Sequence, residues 1–356
     1  MIDIRPLGEK TVLAEDAVEG ETMPDRAFDI PVAIFIFKRD KAVDIVKRIS
    51  CVKPQKLYIL ADQGRNDEEK AAVAECRRAV EAAIDWDCEV IKNYAEENRG
   101  VYENIAEGAK WVLKKEPYAI FLEDDNLPEI SFFPFCKEML ERYKDDERVL
   151  WICGTNYLGD YEQRKGYSYV FTHHMLPCGW ASWSHKFEKY YDGALLGVDD
   201  PEVMKRVKRN YLNGKIYRQY RDSFMREYRR MRSGRRPVSW DYQMDFSIKA
   251  NNLFGICPTK NQIKNIGVDD CSVHGGNDFA AVMTQRFCGM DSYPIKEPHR
   301  HPDSVEIDPT FEKKIGKIIL HPFGLRFKGG LNKLLRKILR VPADRSLSQY
   351  IRNGFK

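Results

Sequence analysis

The stretch of sequence that decides the fold reads YAIFLEDDNLP and covers residues 118–128. Its apolar first half is typical of a buried β-strand, and it stops at three consecutive carboxylates, Glu123, Asp124 and Asp125. Adjacent carboxylates repel one another and only accept hydrogen bonds, so the pattern predicts a nearby cation. Mg²⁺ or Mn²⁺ suits such ligands, because one or two carboxylates suffice when phosphate and water complete the shell. The alternative is a solvated turn in which Asp and Asn are cap residues.

Three further apolar runs precede this strand, and helix-like segments separate all four. The runs are PVAIFIF at 31–37, KLYILA at 56–61 and CEVIKN at 88–93. The segments between them carry apolar residues on one face or acids in the first turn, as helices do. Strict alternation of strand and helix predicts a parallel sheet covered by helices. The fold class that we predict is therefore α/β, with a mainly parallel, Rossmann-like central sheet.

Charged residues follow these strands at the edge where α/β sheets bind ligands, beyond the carboxyl ends of the strands. Arg39 follows the first strand, Asp62 the second and the acidic triplet the fourth. The planar fork of Arg39 suits phosphate oxygens, although a surface arginine at a helix start is the alternative. Asp62 can accept a hydrogen bond from a base or a ribose, or it can be an ordinary turn aspartate.

Two later stretches combine tryptophans with small residues and acids, LPCGWASWSHKFEKY at 176–190 and VSWDYQMDFSIKANN at 238–252. We predict that Trp180 and Trp240 bind an acceptor, whereas the alternative places them in the core, where tryptophan is usually found. Asp241 is a candidate general base, because a partly dry cleft raises the pKa of a carboxylate. Its alternative role is a helix N-cap. His274 is either a ligand of a metal or diphosphate, or a structural loop histidine.

The composition is that of a globular protein of 356 residues, with 43% hydrophobic and 12% aromatic residues. The apolar runs are too short to span a bilayer, and no apolar segment follows a basic start at the N-terminus. We therefore expect a cytosolic protein. Nine cysteines form no CxxC pair, which argues against a disulfide framework or a zinc site and predicts reduced thiols. The net charge of +4 indicates no partner by itself.

Seven motifs occur in a specific order along the chain. They are PVAIFIFKRD, ADQG, GVYENIAEGAKWVL, FLEDDNLPEISFFPF, CGWASW, SWDYQM and NIGVDDCSVHGG. This ordered set, from about residue 30 to about residue 280, resembles the GT-A glycosyltransferases similar to N-acetylglucosaminyltransferase I. It also resembles bacterial hemolysin-like nucleotide-diphospho-sugar transferases. The resemblance implies a GT-A fold and an inverting, Mn²⁺-dependent (or Mg²⁺-dependent) transfer of a hexose or N-acetylhexosamine from a UDP-sugar.

The resemblance also implies a role for each matched residue. Arg39 would hold the donor diphosphate, and Asp62 would contact the uracil. Within the acidic triplet, Asp125 would bind the metal directly and Asp124 would touch the donor sugar, with Glu123 completing the donor site. Asp241 matches the acid after tryptophan that acts as the catalytic base.

Two further assignments follow from the same resemblance. Asn98 and Arg99, with Gly100, precede the matching helix and are expected to reach the ribose or a phosphate of the donor. His274 falls on a histidine-glycine pair of the pattern and is expected at the metal.

Charge and loop signals divide the chain into four segments. They are an N-terminal extension at 1–29, a nucleotide-sugar-binding half at 30–155, an acceptor-binding and catalytic half at 156–290 and a basic C-terminal tail at 291–356. The third segment contains a basic helical insertion at 201–236, between the GWASW and SWD motifs, which predicts an acceptor different from the protein-linked mannose of the family. Loose, Pro-rich sequence after residue 291 predicts that the compact domain ends there.

The C-terminal tail suggests where the acceptor lies. Residues 313–340 contain no acid and interleave Lys and Arg with apolar residues. Such a segment either lies on an anionic membrane surface or packs on the domain as a helix with a solvated basic face. The first option suits an enzyme on the inner face of the cell membrane that acts on a lipid-linked saccharide, in the synthesis of bacterial surface glycans.

Three competing functions use less of the sequence. A nucleotidyltransferase would also need carboxylates and a metal, but FIFKRDKAV lacks the glycine-rich loop expected after its first strand. A non-catalytic sugar-nucleotide-binding relative would not need both Asp125 and Asp241. Nucleic-acid binding would explain only the basic, tyrosine-rich stretch at 205–236, so no nucleic-acid partner is expected.

Overall fold

The computed structural model describes residues 28–267, 288–339 and 341, which fold around an eight-stranded sheet. The strands of this sheet are β1 (Val32–Ile36), β2 (Lys56–Ala61), β3 (Glu89–Tyr94), β4 (Tyr118–Glu123), β6 (Val149–Cys153), β7 (Tyr169–Thr172), β8 (Trp180–Trp183) and β9 (Phe254–Pro258). A separate antiparallel pair is formed by β5 (Asn126–Pro128) and β10 (Ile263–Asn265).

The large sheet has the strand order β3-β2-β1-β4-β8-β6-β9-β7. The first four strands in this order are parallel, as the alternation of strand and helix predicts. β8 then runs antiparallel between β4 and β6, β6 and β9 are parallel, and β7 is antiparallel at the edge. The prediction of an α/β fold with a mainly parallel central sheet is confirmed. The predicted halves at 30–155 and 156–290 share this sheet.

Helices cover both faces of the sheet. The α-helices of the described residues are α1 (Ala42–Ser50), α2 (Asp67–Ala82), α3 (Gly108–Leu113), α4 (Phe132–Arg142), α5 (Ser184–Tyr190), α6 (Pro201–Arg209), α7 (Gly214–Arg232), α8 (Asp241–Ala250), α9 (Pro309–Ile319) and α10 (Phe323–Ile338). A π-helical turn, Glu103–Glu107, precedes α3. The insertion at 201–236 is helical, as predicted, and forms α6 and α7.

Burial on both faces explains why the strands read as continuous apolar runs. Val32 and Ile34 of β1 point to a core shared with α1 and α4, whereas Ala33 and Phe35 point to a core shared with α3, α7 and α8. Alternate residues of a strand face opposite sides of its sheet, so a strand covered on both sides needs apolar residues at every position.

The compact fold does not end at the predicted boundary near residue 291. Phe311 and Ile315 of α9 are fully buried in the core. Between them the carboxylate of Glu312, also buried, accepts a hydrogen bond of 2.7 Å from the backbone N–H of His173. The cysteines in the described ranges are free. Among the described helices, none is long and apolar enough to cross a membrane.

Candidate active site

A cleft of about 220 Å³ lies beyond the carboxyl ends of β1, β2 and β4. Seven of the residues predicted from the sequence line it, namely Arg39, Asp62, Asn98, Gly100, Glu123, Asp124 and Asp125. Parallel strands bring their following loops to one edge of the sheet, so residues far apart in sequence meet there. The structure therefore brings together most of the predicted donor site.

A guanidinium bridges two carboxylates at the centre of this cleft. Arg39 Nη1 lies 2.9 Å from Asp124 Oδ1 and 2.6 Å from Asp125 Oδ2. The second oxygen of Asp124 accepts a hydrogen bond of 3.0 Å from the backbone N–H of Phe37. A cation, the guanidinium of Arg39, therefore lies against two of the three carboxylates of the triplet, Asp124 and Asp125.

Burial and repulsion from neighbouring carboxylates raise the pKa values of Glu123 and Asp124. Desolvation raises the pKa of Glu123 well above its usual range, and the charges of Asp125 and Asp124 raise it further. Desolvation also raises the pKa of Asp124 to about 6, against the opposing effect of the Arg39 guanidinium. An additional positive charge in the cleft would stabilise the ionised form of these carboxylates.

A close backbone approach supports Asp125 from the other side. The backbone N–H of Ile266 donates to the carbonyl of Asp125 over 2.9 Å, next to the β5–β10 pair. A Cβ atom on Gly267 would lie 2.2 Å from Asp125 Oδ2, so only glycine leaves room for this carboxylate. Asn126 Nδ2 donates to Asp125 Oδ1 over 2.6 Å and fixes its orientation.

Asp62 holds together the loop that forms one wall of the cleft. Its buried carboxylate accepts hydrogen bonds from the backbone N–H groups of Arg99 and Gly100, at 2.7 Å and 2.9 Å. It also accepts one from Asn98 Nδ2 at 3.1 Å and one from the N–H of Gln63 at 2.8 Å. Gly100 has a φ of +84°, which allows its N–H to point back to Asp62. The carboxylate therefore has a clear structural role as well as its predicted ligand role.

Replacing Asp62 with Ala should destabilise the protein by about 2–4 kcal/mol, because several N–H donors lose a buried, charged acceptor. Urea unfolding of the variant and the wild type measures this difference. Asp67→Ala is a matched control, since the side chain of Asp67 is fully exposed, and it should change the free energy of unfolding by less than about 0.5 kcal/mol. Equal effects of the two substitutions would contradict the structural role of Asp62.

Asp241 lies at the start of α8 and is not part of the lining of the cleft. It is the first helical residue rather than the N-cap, in a position where the helix dipole favours negative charge. The hydroxyl of Ser239 donates to Asp241 Oδ1. The charge of Asp241 contributes to the raised pKa of Glu123, so the two carboxylates are near enough to interact.

A stack of aromatic rings sets the position of Asp241 relative to the acidic triplet. Phe121 of β4 stacks on Trp180, with ring centroids 4.0 Å apart, and Trp180 lies 5.7 Å from Trp240. Trp151 packs against both tryptophans. β4 ends in Glu123, the first acid of the triplet, and Trp240 directly precedes Asp241. The stack therefore links the acidic triplet to Asp241 through the core.

The same stack changes the interpretation of the tryptophans. Trp180 is 1% exposed and Trp240 is 5% exposed, which leaves almost no ring surface for an acceptor. Both indoles are core residues, as in the alternative interpretation of the sequence. Trp240 directly precedes Asp241, so this packing holds the start of α8 in place.

Arg99, which was predicted to reach the donor, is not part of the lining of the cleft. The guanidinium of Arg99 turns away and donates to the carbonyl and side-chain oxygens of Asn93, at 3.2 Å and 3.0 Å. Burial of this guanidinium lowers its pKa. His274 lies outside the described residues.

Two residues of the cleft were missed from the sequence. Arg65 lines the cleft, and its guanidinium donates a hydrogen bond to the carboxylate of Glu69. This hydrogen bond lowers the pKa of Glu69, which also forms an ion pair with Lys38 at 2.9 Å. Its position after β2, on the same edge as Asp62, was an available signal. Asn104 is buried in the π-helical turn beside the cleft, and its Oδ1 has no partner among the described residues. Nothing in the local sequence predicts that turn.

The fold and the cleft define an α/β protein with a charged site at the carboxyl edge of a parallel sheet. No protein-family model and no curated protein matches the chain. Solved structures similar to it include 4-diphosphocytidyl-2C-methyl-D-erythritol synthase from Anaerococcus prevotii, at 10% identity and a TM-score of 0.31, over 46% of this chain and 75% of that one. They also include UDP-glucose pyrophosphorylase, with UDP-glucose and without it, each at 9% identity and a TM-score of 0.30, over 66% of this chain and 93% of theirs. Similarities this low assign neither a family nor an activity.

Proposed function

We propose that the protein is a metal-dependent, inverting glycosyltransferase that moves a hexose or N-acetylhexosamine from a UDP-sugar to a saccharide acceptor. The observation that carries the proposal is the convergence of Arg39 and the acidic triplet in one cleft, with Asp241 near enough to interact electrostatically with Glu123. A guanidinium, clustered carboxylates and a separate carboxylate are the groups that sugar transfer from a nucleoside diphosphate requires. The ordered motifs of the sequence support the same reaction.

In this proposal the donor lies along the cleft. The planar guanidinium of Arg39 binds a diphosphate oxygen, for which its geometry is suited. The loop Asn98–Gly100, held by Asp62, contacts the ribose and the base, and Asp124 contacts the donor sugar. Arg65, on the same wall, adds a second positive charge for the diphosphate.

A divalent cation fits the acidic triplet on the chemistry of its donors. Asp124 and Asp125 each direct one oxygen at the same cationic atom, Arg39 Nη1. The described ranges contain no group of three or more His, Cys, Asp and Glu side chains placed to hold a metal, so the proposed ion relies on Asp125 and the donor phosphates. When bound, Mn²⁺ or Mg²⁺ would neutralise charge on the departing diphosphate.

Asp241 is the base in this mechanism. Its carboxylate takes the proton of an acceptor hydroxyl as that oxygen attacks the anomeric carbon. The bond from the anomeric carbon to the diphosphate oxygen breaks on the opposite face, and its electron pair leaves with the diphosphate. One displacement inverts the anomeric centre. The acceptor that we propose is a lipid-linked saccharide of bacterial surface glycan synthesis.

The proposal is tested by incubating the protein with a panel of nucleotide sugars and Mn²⁺, with and without EDTA. We expect slow, EDTA-sensitive release of UDP from one UDP-sugar, because water replaces the missing acceptor. A control reaction contains UTP and sugar 1-phosphates. Release of pyrophosphate in that control would instead identify a nucleotidyltransferase. No release and no donor-induced rise in melting temperature across the panel would contradict the proposed donor site.

A further inference from the structure

Helix α10 (Phe323–Ile338) exposes an apolar stripe at the end of the described chain. The stripe consists of Phe323, Phe327, Leu331, Leu334 and Ile338, whose spacing of three or four residues places them on one helix face. Their exposed fractions lie between 46% and 74%. Single exposed apolar residues are ordinary, but a contiguous set of this size marks an interaction surface.

The charged residues in the sequence of α10 are all basic. The basic residues of α10 are Arg326, Lys328, Lys333, Arg336 and Lys337, and the wider segment 313–340 contains neither Asp nor Glu. The guanidinium of Arg326 lies 5.9 Å from the centre of the Phe323 ring, so positive charge borders the apolar face directly. This combination suits a partner that is apolar inside and negatively charged at its surface.

The helix and the turn that precede α10 are held on the domain. The preceding helix α9 buries Phe311 and Ile315 in the core. At the turn between the two helices, the side chain of Gln219 in α7 donates to the carbonyl of Ile319 over 3.0 Å and accepts from the N–H of His321 over 2.9 Å. The two alternatives for the tail therefore apply to different helices, since α9 packs on the domain and α10 does not.

We propose that α10 binds the surface of a membrane that contains anionic lipids. An amphipathic helix with basic residues lies in the interface, with its apolar face in the acyl region and its cations near the headgroups. A second copy of the chain is a poorer occupant, because pairing two such helices would bring positive charges together without a compensating acid. The inference does not depend on sugar transfer, since membrane binding is measured without a donor.

The test uses the full-length protein and vesicles of phosphatidylcholine, with or without phosphatidylglycerol. We expect the protein to sediment with the anionic vesicles and to be released as the salt concentration rises. The double variant Phe327→Glu with Leu334→Glu should bind at least about tenfold more weakly, because it places charge in the apolar stripe. Leu212→Glu is the control, since Leu212 is 60% exposed and lies outside α10, and this variant should bind like the wild type.

A second variant, Arg326→Gln with Lys328→Gln, keeps the stripe and removes two charges. It should weaken binding to anionic vesicles by roughly fivefold per charge and should retain the melting temperature of the wild type. Equal binding to neutral and anionic vesicles, or full binding by both double variants, would overturn the proposal. The proposal would also be overturned if the wild type did not bind vesicles but formed a dimer that the Phe327→Glu, Leu334→Glu variant did not form. The apolar stripe would then be the binding surface for a second copy of the chain.

Discussion

Asp241→Asn should lower the rate of sugar transfer by about 10²–10⁴-fold while leaving donor binding almost unchanged. An amide has nearly the same size as a carboxylate and still accepts the hydrogen bond from Ser239, but it cannot take the proton of an acceptor hydroxyl. Asp241 is outside the lining of the donor cleft, so the loss should fall on the chemical step. Trp240 keeps the start of α8 in place in both proteins.

The measurement compares transfer rates at saturating donor with the donor-induced rise in melting temperature. Asp160→Asn is the matched control, because Asp160 forms an exposed ion pair with Lys260. This variant should transfer sugar at the rate of the wild type. Undiminished turnover in Asp241→Asn would remove Asp241 from the role of base. A lost melting-temperature response would show instead that Asp241 contributes to the donor site.

The first half of the fold could be predicted because its signals are local. β2 has the predicted bounds, Lys56–Ala61, β1 is one residue shorter than its predicted run at each end, and β4 is one residue longer at its carboxyl end. A strand buried on both faces must be apolar throughout, and this constraint is visible without knowledge of its neighbours. The rule that ligands lie beyond the strand ends then placed Arg39, Asp62 and the triplet together.

The rest of the site depends on contacts between distant residues. The sequence near Asp62 does not reveal that its carboxylate holds the N–H groups of Arg99 and Gly100. Burial of Trp180 follows from stacking on Phe121 and Trp151, rings that come from three different strands. The two C-terminal helices have similar compositions, yet most of the apolar residues of α9 are buried in the core and most of those of α10 are exposed. Which of the two helices packs on the domain depends on tertiary contacts that composition does not encode.

Asp125→Ala should abolish the metal-dependent part of donor binding and reduce turnover by about 10²-fold or more, because the proposed ion loses its direct protein ligand. The fold should tolerate the change. The variant loses the ion pair between Asp125 and Arg39. The charge of Asp125 also raises the pKa of Glu123, so removing that charge relieves repulsion within the triplet. Arg39 keeps its second partner, Asp124.

Calorimetric titration of a UDP-sugar, with Mn²⁺ and with EDTA, measures this effect without turnover. Asp40→Ala is the control, because Asp40 is an exposed acid next to Arg39 and should leave metal-dependent binding intact. If the wild type binds the donor equally well in EDTA, the metal assignment fails, and the guanidinium groups of Arg39 and Arg65 become the cations at the diphosphate. In that case Arg39→Ala, and not Asp125→Ala, would be the variant that loses the donor, since the guanidinium would then carry the charge that the ion was proposed to supply.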